Sequence, residues 1–487
     1  MYMFGGLVMH VLHDDVIGIY HTLKRFAPAS TDPTEPFSRD IHLLFLDSWP
    51  SETPYADIWQ KFFTYHLPWT ASEHLRGGEH DITLFTNAVV GISKEGTWYQ
   101  YGFLLPQGPI AAAMENKQGE AVNPGLLLDV DESERSQIVY DLPGWVHENV
   151  GWRVQEVAAW IREESQRIMS LEAQIDGYDH YADPGAVLIS RRRNRLILNE
   201  AELSNAIAVM LELETVVVDL DNMPFETTVY LLGRAEVLIG MHGAALVTGM
   251  FARPCALLIE LFPYGIDSNL ITPYRTLAEL EGINLIYRAW ENQHHNMTVG
   301  HPERPQELGG IAHLPKEDQY RVIGEPVKEH LCCKDPSWLY HIYQDTWVSV
   351  HEILQILADA REEQKRCNVP LARFHFNPSA PPHLTCRYPV EIADLGETDV
   401  RILWSPPYNV PKEELSRIDY LLTLNVRPNG TVGTFHLRGI CQLDVHVPTW
   451  GVETQGRERL GWDRLIISVT AICQNRTSRS SQVECEL

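Results

Sequence analysis

The chain has 487 residues, 44% hydrophobic and 21% charged, with 39 Lys and Arg against 65 Asp and Glu, a net charge of −26. At roughly 100–200 residues per domain this allows about two to four domains with a sizeable core, and it excludes collagen, coiled coil and disorder as the dominant state. So acidic a balance argues against a general nucleic-acid binder, whose ligand rewards dense Lys and Arg, and against a basic membrane-surface protein; a small anionic substrate stays open, because a few placed arginines suffice.

In chain order, apolar residues at a 3.6 period predict a helix over residues 8–26, with Met9, Leu12, Val16, Ile19, Tyr20 and Leu23 on one face and His10, His13, Asp14, Ile17 and His21 on the other. A strand is expected at 41–47, a helix at 55–66 and strands near 82–92. A long acidic helix is expected at 149–173. From 186 the texture changes. Short apolar strands at 186–190, 216–220, 237–240, 256–261 and 283–287 alternate with helices at 199–213, 224–234, 244–251 and 269–281. That alternation predicts a parallel sheet with helices on both faces. Residues 337–363 read as helix, and 364–382, with Pro370, Pro378, Pro381 and Pro382, as a linker. From 383 the short alternating runs predict a β-sandwich of the fibronectin type.

No apolar run approaches the length of about 18 residues that a transmembrane helix needs, and residues 1–11 lack the basic start of a signal peptide. Three N-glycosylation sequons begin at Asn296, Asn429 and Asn475. Seven of the eight cysteines lie after residue 330, which fits a disulfide-bearing region of the secretory pathway, with pairing left open. The expectation is an exported body whose chain starts after a lost anchor.

Three segments carry candidate chemistry. The first is Met241-His-Gly-Ala-Ala245, where a strand ends and a helix begins. Ligands of open α/β sheets bind outside the carboxyl ends of strands; Gly243 would let a phosphate approach the backbone and His242 would add a hydrogen bond. The second is Ser190-Arg-Arg-Arg-Asn-Arg195, at another strand's carboxyl end, where Arg191 and Arg195 suit a diphosphate. A solvated basic turn is the bland alternative. Third, Glu260 at the next strand end could accept hydrogen bonds from a ribose. On the first helix, His10 and Asp14 stand at i, i+4, an arrangement able to accept a proton. The pairs His294/His295 and His301/His313 lack an acidic partner at ligand spacing, so no metal site is expected.

The strings MHVLHDD (9–15), SRRRNRLILNE (190–200), MHGAALV (241–247), ELFPYG (260–265), TPYRTLA (272–278), HPERP (301–305), HLCC (330–333) and YQDTWV (343–348), in this order, resemble glycosyltransferase family 61. That family holds the EGF-domain O-linked N-acetylglucosaminyltransferase and plant xylosyl- and arabinosyltransferases. The closing all-β region favours its members that act on O-linked mannose. The resemblance implies a GT-B fold of two Rossmann-like lobes, the first truncated, with lobes at 1–175 and 176–363, a linker at 364–382 and a fibronectin type III-like domain at 383–487. It implies metal-independent, inverting transfer of N-acetylglucosamine from UDP-N-acetylglucosamine, in β-1,4 linkage, to O-linked mannose on a glycoprotein of the α-dystroglycan type. The implied setting is the endoplasmic reticulum lumen, anchored to the membrane, with a homodimer through the fibronectin-type domain and no nucleic-acid partner. Asp14 would be the general base with His10 its partner; Arg191, Arg195, His242, Gly243 and Glu260 would hold the donor. Another acceptor or sugar, or a non-catalytic donor-site relic that serves binding, are the alternatives.

Overall fold

The computed structural model describes residues 8–31, 36–46, 58–71, 84–100, 108–109, 132–150, 185–212, 215–220, 223–328, 335–367, 385–387, 397–404, 418–427, 430–438, 442–448, 464–473, 476–477 and 481–486. They fall into two compact units. One takes residues 1–143 and 180–374, the other 144–179 and 375–487. The boundary expected at 175/176 and most of the helix expected at 149–173 lie outside the described residues.

The first unit is organised on five parallel strands: β1 (Ala186–Ile189), β2 (Thr215–Val218), β3 (Val237–Met241), β4 (Leu257–Phe262) and β5 (Ile286–Glu291), in the order β2-β1-β3-β4-β5. All residues of β1, β3 and β4 are buried. This is why they read as continuous apolar runs rather than alternating ones: both faces are covered. On one face Ala186, Leu188, Val237, Ile239, Met241, Leu257, Ile259 and Leu261 pack on Leu203 and Ile207 of helix α2 (Glu200–Leu211) and on Ile353, Leu357 and Ala360 of the closing helix Val350–Arg366. That helix starts with Ser349 accepting from the Glu352 N–H, an N-cap that satisfies an otherwise orphan donor.

The two-residue side-chain period turns Leu238, Gly240 and His242, and Leu258, Glu260 and Phe262, to the other face. There Gly240 makes room: a Cβ at this position would lie 3.2 Å from both Ile189 Cβ and Leu246 Cδ2. Leu246 belongs to the 3₁₀ helix Ala244–Phe251. The helix α1 covers the same side of the molecule; it runs through Val8–His10, a π-helical turn Val11–Val16 and Ile17–Phe26, and its first residues pack on Ala244–Phe251. Phe62 meets Phe225 edge-on at 5.7 Å and Phe225 meets Phe251 at 5.5 Å, tying the 58–63 turn to this face.

Several expectations are corrected. The face of α1 opposite the apolar stripe is itself partly covered: His13 and Ile17 are buried, with the 92–99 segment lying over it. Ser93 N donates to Thr22 Oγ1 and Lys94 Nζ to the Asp14 carbonyl. The strand expected at 41–47 shrinks to Leu44–Phe45, paired in parallel with Trp69–Thr70. Residues 84–92 form no strand; an apolar run without a neighbouring ladder has nothing to pair with. A helix the sequence did not announce spans Glu132–Val150, with Pro143 inside. The single helix read at 337–363 is two, Pro336–Ile342 and Val350–Arg366, separated by the short strand Asp345–Thr346.

In the second unit every described strand pairing is antiparallel. Strands Thr385–Arg387, Glu397–Leu403 and Gln442–Pro448 form one sheet. Asp419–Arg427, Gly430–Arg438, Arg464–Cys473, Arg476–Thr477 and Ser481–Glu486 form another. Tyr420, Leu422 and Leu424 alternate inward, and Trp404 meets Tyr420 edge-on at 5.5 Å.

Cys255, the one cysteine apart from the C-terminal cluster, is bonded to Cys367 across 112 residues. The bond fastens the entrance of β4 to the end of the closing helix. Gln364 Nε2 reinforces it by donating to the Cys255 carbonyl at 2.9 Å. Asn296 is exposed, whereas Asn429 and Asn475 lie outside the described residues.

Candidate active site

Two loops meet at the carboxyl edge of the sheet. Because β1 and β3 are neighbours, with Ile189 opposite Gly240, the Arg191–Arg195 loop leaving β1 lies beside the His242–Gly243 loop leaving β3. Arg195 takes a left-handed backbone, φ 56°, a conformation costly for a residue with a Cβ. It turns the guanidinium back so that Nη1 donates to the His242 carbonyl at 2.6 Å, with the group 4.9 Å above the Tyr343 ring. Arg191 is steadied by Asn194, donating from Nε to its carbonyl at 3.2 Å and from Nη2 to its Oδ1 at 3.3 Å. A Cβ at position 243 would stand 2.8 Å from Nη1 of both arginines. Gly243 is therefore the residue that lets two guanidiniums converge on the backbone.

The electrostatics of this convergence are unbalanced. Arg192, one step along, faces Asp219 at 3.8 Å. Among the described residues neither Arg191 nor Arg195 has a carboxylate partner. Burial, then the charge of Arg191, lowers the Arg195 pKa to about 10. Among the described residues its Nε and the Ser190 hydroxyl are buried without a hydrogen-bond partner. A fold that brings two cations together and leaves polar atoms unsatisfied spends stability. An anion seated between them would recover it.

Glu260 lies on the same face of the sheet as His242. It is fully buried, and its two oxygens are taken by His242 Nδ1 at 2.5 Å and the Tyr287 hydroxyl at 2.6 Å. Through these bonds it orients His242 and Tyr287. With Nδ1 of His242 bound to the carboxylate, Nε2 is the nitrogen left to meet a ligand. Phe262 stacks on the imidazole at 5.2 Å and Tyr274 tilts against it at 5.6 Å. Burial and the Glu260 charge raise both Tyr274 and Tyr287, so both phenols stay protonated.

On α1, Asp14 accepts from His10 Nδ1 at 2.7 Å and from His13 Nδ1 at 2.5 Å. Burial raises its carboxyl, but the charge of His13 and the hydrogen bonds from both histidines outweigh burial and hold it well below the usual carboxylate range. The Asp14 and His10 side chains are each 24% exposed, so the pair is reachable. His13 is not; it packs edge-on against Trp98 at 4.2 Å. Trp98 Nε1 donates to the Pro273 carbonyl at 3.0 Å, and the Thr272 N–H donates to the Tyr99 hydroxyl at 3.3 Å. Tyr274 follows directly. Thus the Asp14 helix, the 98–99 segment and the helix Pro273–Glu279 form one packed series ending beside His242.

Sequence reasoning passed over Tyr274, Tyr287, Tyr343, Trp98 and Asp345. Tyr274, Tyr343 and Asp345 lie within strings already singled out, which was the available signal. Trp98 and Tyr287 carry none, because their partners are set by packing and register. His301 Nε2 meets Asp345 Oδ2 at 2.7 Å. Among the described residues no three His, Cys, Asp or Glu side chains gather into a group able to hold a metal ion.

Residues 111–259 match the family model Glycosyltransferase 61; this span contains Arg191, Arg195, His242 and Gly243, but not His10, Asp14 or Glu260. The chain is 31% identical over 414 residues to Protein O-linked-mannose beta-1,4-N-acetylglucosaminyltransferase 2 of Tetraodon nigroviridis, covering 85% of this chain and 62% of that protein. It is 32% identical over 425 residues to the protein of that name from Bos taurus, covering 87% and 64%, and 35% identical over 352 residues to that from Xenopus laevis, covering 72% and 51%. The chain thus spans less than two thirds of the length of these relatives. It carries a Glycosyltransferase 61 domain and is a homologue of proteins named O-linked-mannose β-1,4-N-acetylglucosaminyltransferases.

Proposed function

We propose that the first unit is the catalytic body of an inverting glycosyltransferase with a GT-B-type arrangement. It would move N-acetylglucosamine from UDP-N-acetylglucosamine to O-linked mannose on a secretory glycoprotein of the α-dystroglycan type. The observation that carries the reading is the Arg191–Arg195 couple, without a carboxylate partner among the described residues, converging on Gly243, a cradle for a diphosphate. The sugar and acceptor follow the relatives' names. In this reading the acceptor hydroxyl oxygen bonds to the anomeric carbon from the face opposite UDP, and the carbon–oxygen bond to UDP breaks with its electron pair leaving on the diphosphate. The hydroxyl proton passes to the Asp14–His10 pair. So acidic a carboxylate is a weak base alone, and the imidazole shares the proton. Arg191, Arg195 and the backbone near Gly243 offset the charge growing on the leaving group, the task a divalent cation performs in other transferases, and no metal is required. The disulfide Cys255–Cys367 and the exposed sequon at Asn296 support an oxidising, glycosylating compartment, the endoplasmic reticulum lumen. A fibronectin type III-like identity for the second unit, and dimerisation through it, belong to the same proposal.

The test is a panel of sugar nucleotides incubated with the protein and an O-mannosyl peptide. Transfer from UDP-N-acetylglucosamine in β-1,4 linkage is expected. Transfer of a pentose, or transfer only to a peptide lacking mannose, would replace the assignment. UDP binding with no turnover on any acceptor would make the unit a binding relic.

A further inference from the structure

The arginine loop is held from behind by a segment that the proposed chemistry does not use. Asp345, buried, accepts the Leu196 N–H on Oδ1 at 2.9 Å and His301 Nε2 on Oδ2 at 2.7 Å, with Arg304 Nη2 3.8 Å from Oδ2. Around it the backbone is stitched to the same loop. Thr346 N donates to the Leu196 carbonyl at 2.8 Å and Leu198 N to the Thr346 carbonyl at 2.9 Å. Asn199 closes the other end, exchanging hydrogen bonds with the Val348 N–H and carbonyl, each 2.9 Å. Thr298 Oγ1 donates to Gln344 Oε1 at 2.8 Å, anchoring the segment to the 298–304 loop. Two residues before Asp345, the Tyr343 ring lies beneath the Arg195 guanidinium.

Arg195 needs such support. Its left-handed backbone is strained and persists only where its surroundings over-determine it. A surface turn built for solubility has no use for a buried carboxylate fixed on the very next N–H. A ligand site does, because a guanidinium must stay within a fraction of an ångström to grip a phosphate.

We infer that Asp345, oriented by His301, is a positioning residue that fixes the Arg195 loop in its diphosphate-gripping conformation. It acts on the donor without touching it. The inference rests on the donor reading above and deepens it: the strings HPERP (301–305) and YQDTWV (343–348) supply the brace for the loop of SRRRNR (190–195).

The test is UDP affinity by calorimetry on the full chain, with thermal unfolding of each variant as a check on folding. Asp345→Ala is expected to weaken UDP at least tenfold. Asp345→Asn keeps an acceptor for the Leu196 N–H and a donor for a re-tautomerised His301, and should stay within about threefold of wild type. His301→Ala, at the partly exposed end of the network, serves where Asp345→Ala does not fold and should weaken UDP severalfold. The decisive readout is a double-mutant cycle: in an Arg195→Ala background, Asp345→Ala or His301→Ala should change UDP affinity by less than twofold. Additive losses, or folded Asp345→Ala and His301→Ala proteins that both bind UDP as wild type does, would overturn the positioning role. A wild-type protein that takes no UDP would overturn the donor reading itself, and this inference with it.

Discussion

Replacing Arg195 by methionine should harm ligand binding and spare the fold. The guanidinium carries a cost in the ligand-free protein. Burial and the neighbouring Arg191 charge both oppose its charged form, and taking a charge out of water costs on the order of a few kcal/mol. Against that stands one charge-assisted hydrogen bond to the His242 carbonyl at 2.6 Å, worth about 1.5–3 kcal/mol. A methionine of similar length keeps contact with the Tyr343 ring and abolishes both terms. The unfolding free energy of Arg195→Met should therefore equal the wild-type value or exceed it by up to about 1–2 kcal/mol, although most buried substitutions destabilise. Denaturant melts in the absence of nucleotide measure this. With UDP the order reverses. Ligand at 100 times its dissociation constant stabilises by about 2.7 kcal/mol; the wild type gains this shift and Arg195→Met does not. A variant that loses several kcal/mol without ligand yet keeps its UDP-dependent shift would show that Arg195 is a structural cation and would refute the reasoning.

Further outcomes are expected. Gly243→Ala drives a methyl into both guanidiniums at 2.8 Å, so UDP affinity should fall at least tenfold by calorimetry while the melting temperature changes little. Glu260→Leu strands His242 and Tyr287 without their buried acceptor, costing about 1–3 kcal/mol per unsatisfied group in denaturant melts. Asp14 has a lowered carboxyl pKa in the fold, so its contribution is complete above the unfolded value of about 4 and is lost as pH falls toward the folded value. Asp14→Asn should thus destabilise at pH 6 and much less near pH 2.5, and it should abolish transfer with UDP binding intact; equal urea midpoints at both pH values would contradict this. Replacing Cys255 and Cys367 by serine opens a loop of 112 residues and should cost up to about 4.8 kcal/mol on the chain-entropy relation, read as a denaturant midpoint that no longer responds to reductant.

What was legible in the sequence follows from physics that acts locally. The parallel sheet could be read because β1, β3 and β4 are buried on both faces and so are uniformly apolar. The arginine loop and the His242–Gly243 loop could be placed together because strand ends are where open sheets bind ligands. What escaped depends on contacts distant in sequence. The strand-end position of Glu260 is visible in the sequence, whereas the parallel register that brings Tyr287 to it is not. The helical period of residues 8–26 shows one apolar stripe, and nothing in them announces that Trp98 covers His13 on the other side. Tyr343–Ser349 read as helix because its apolar spacing permits one; the pairing of Thr298–Val299 with Asp345–Thr346 wins there and frees Asp345 to hold the Arg195 loop.

A crystal structure of the protein with UDP would test the central claim most directly. The account predicts diphosphate oxygens within hydrogen-bonding distance of the Arg191 and Arg195 guanidiniums and packed against the Gly243 backbone. UDP bound elsewhere, with the two arginines turned to solvent or to carboxylates, would contradict it.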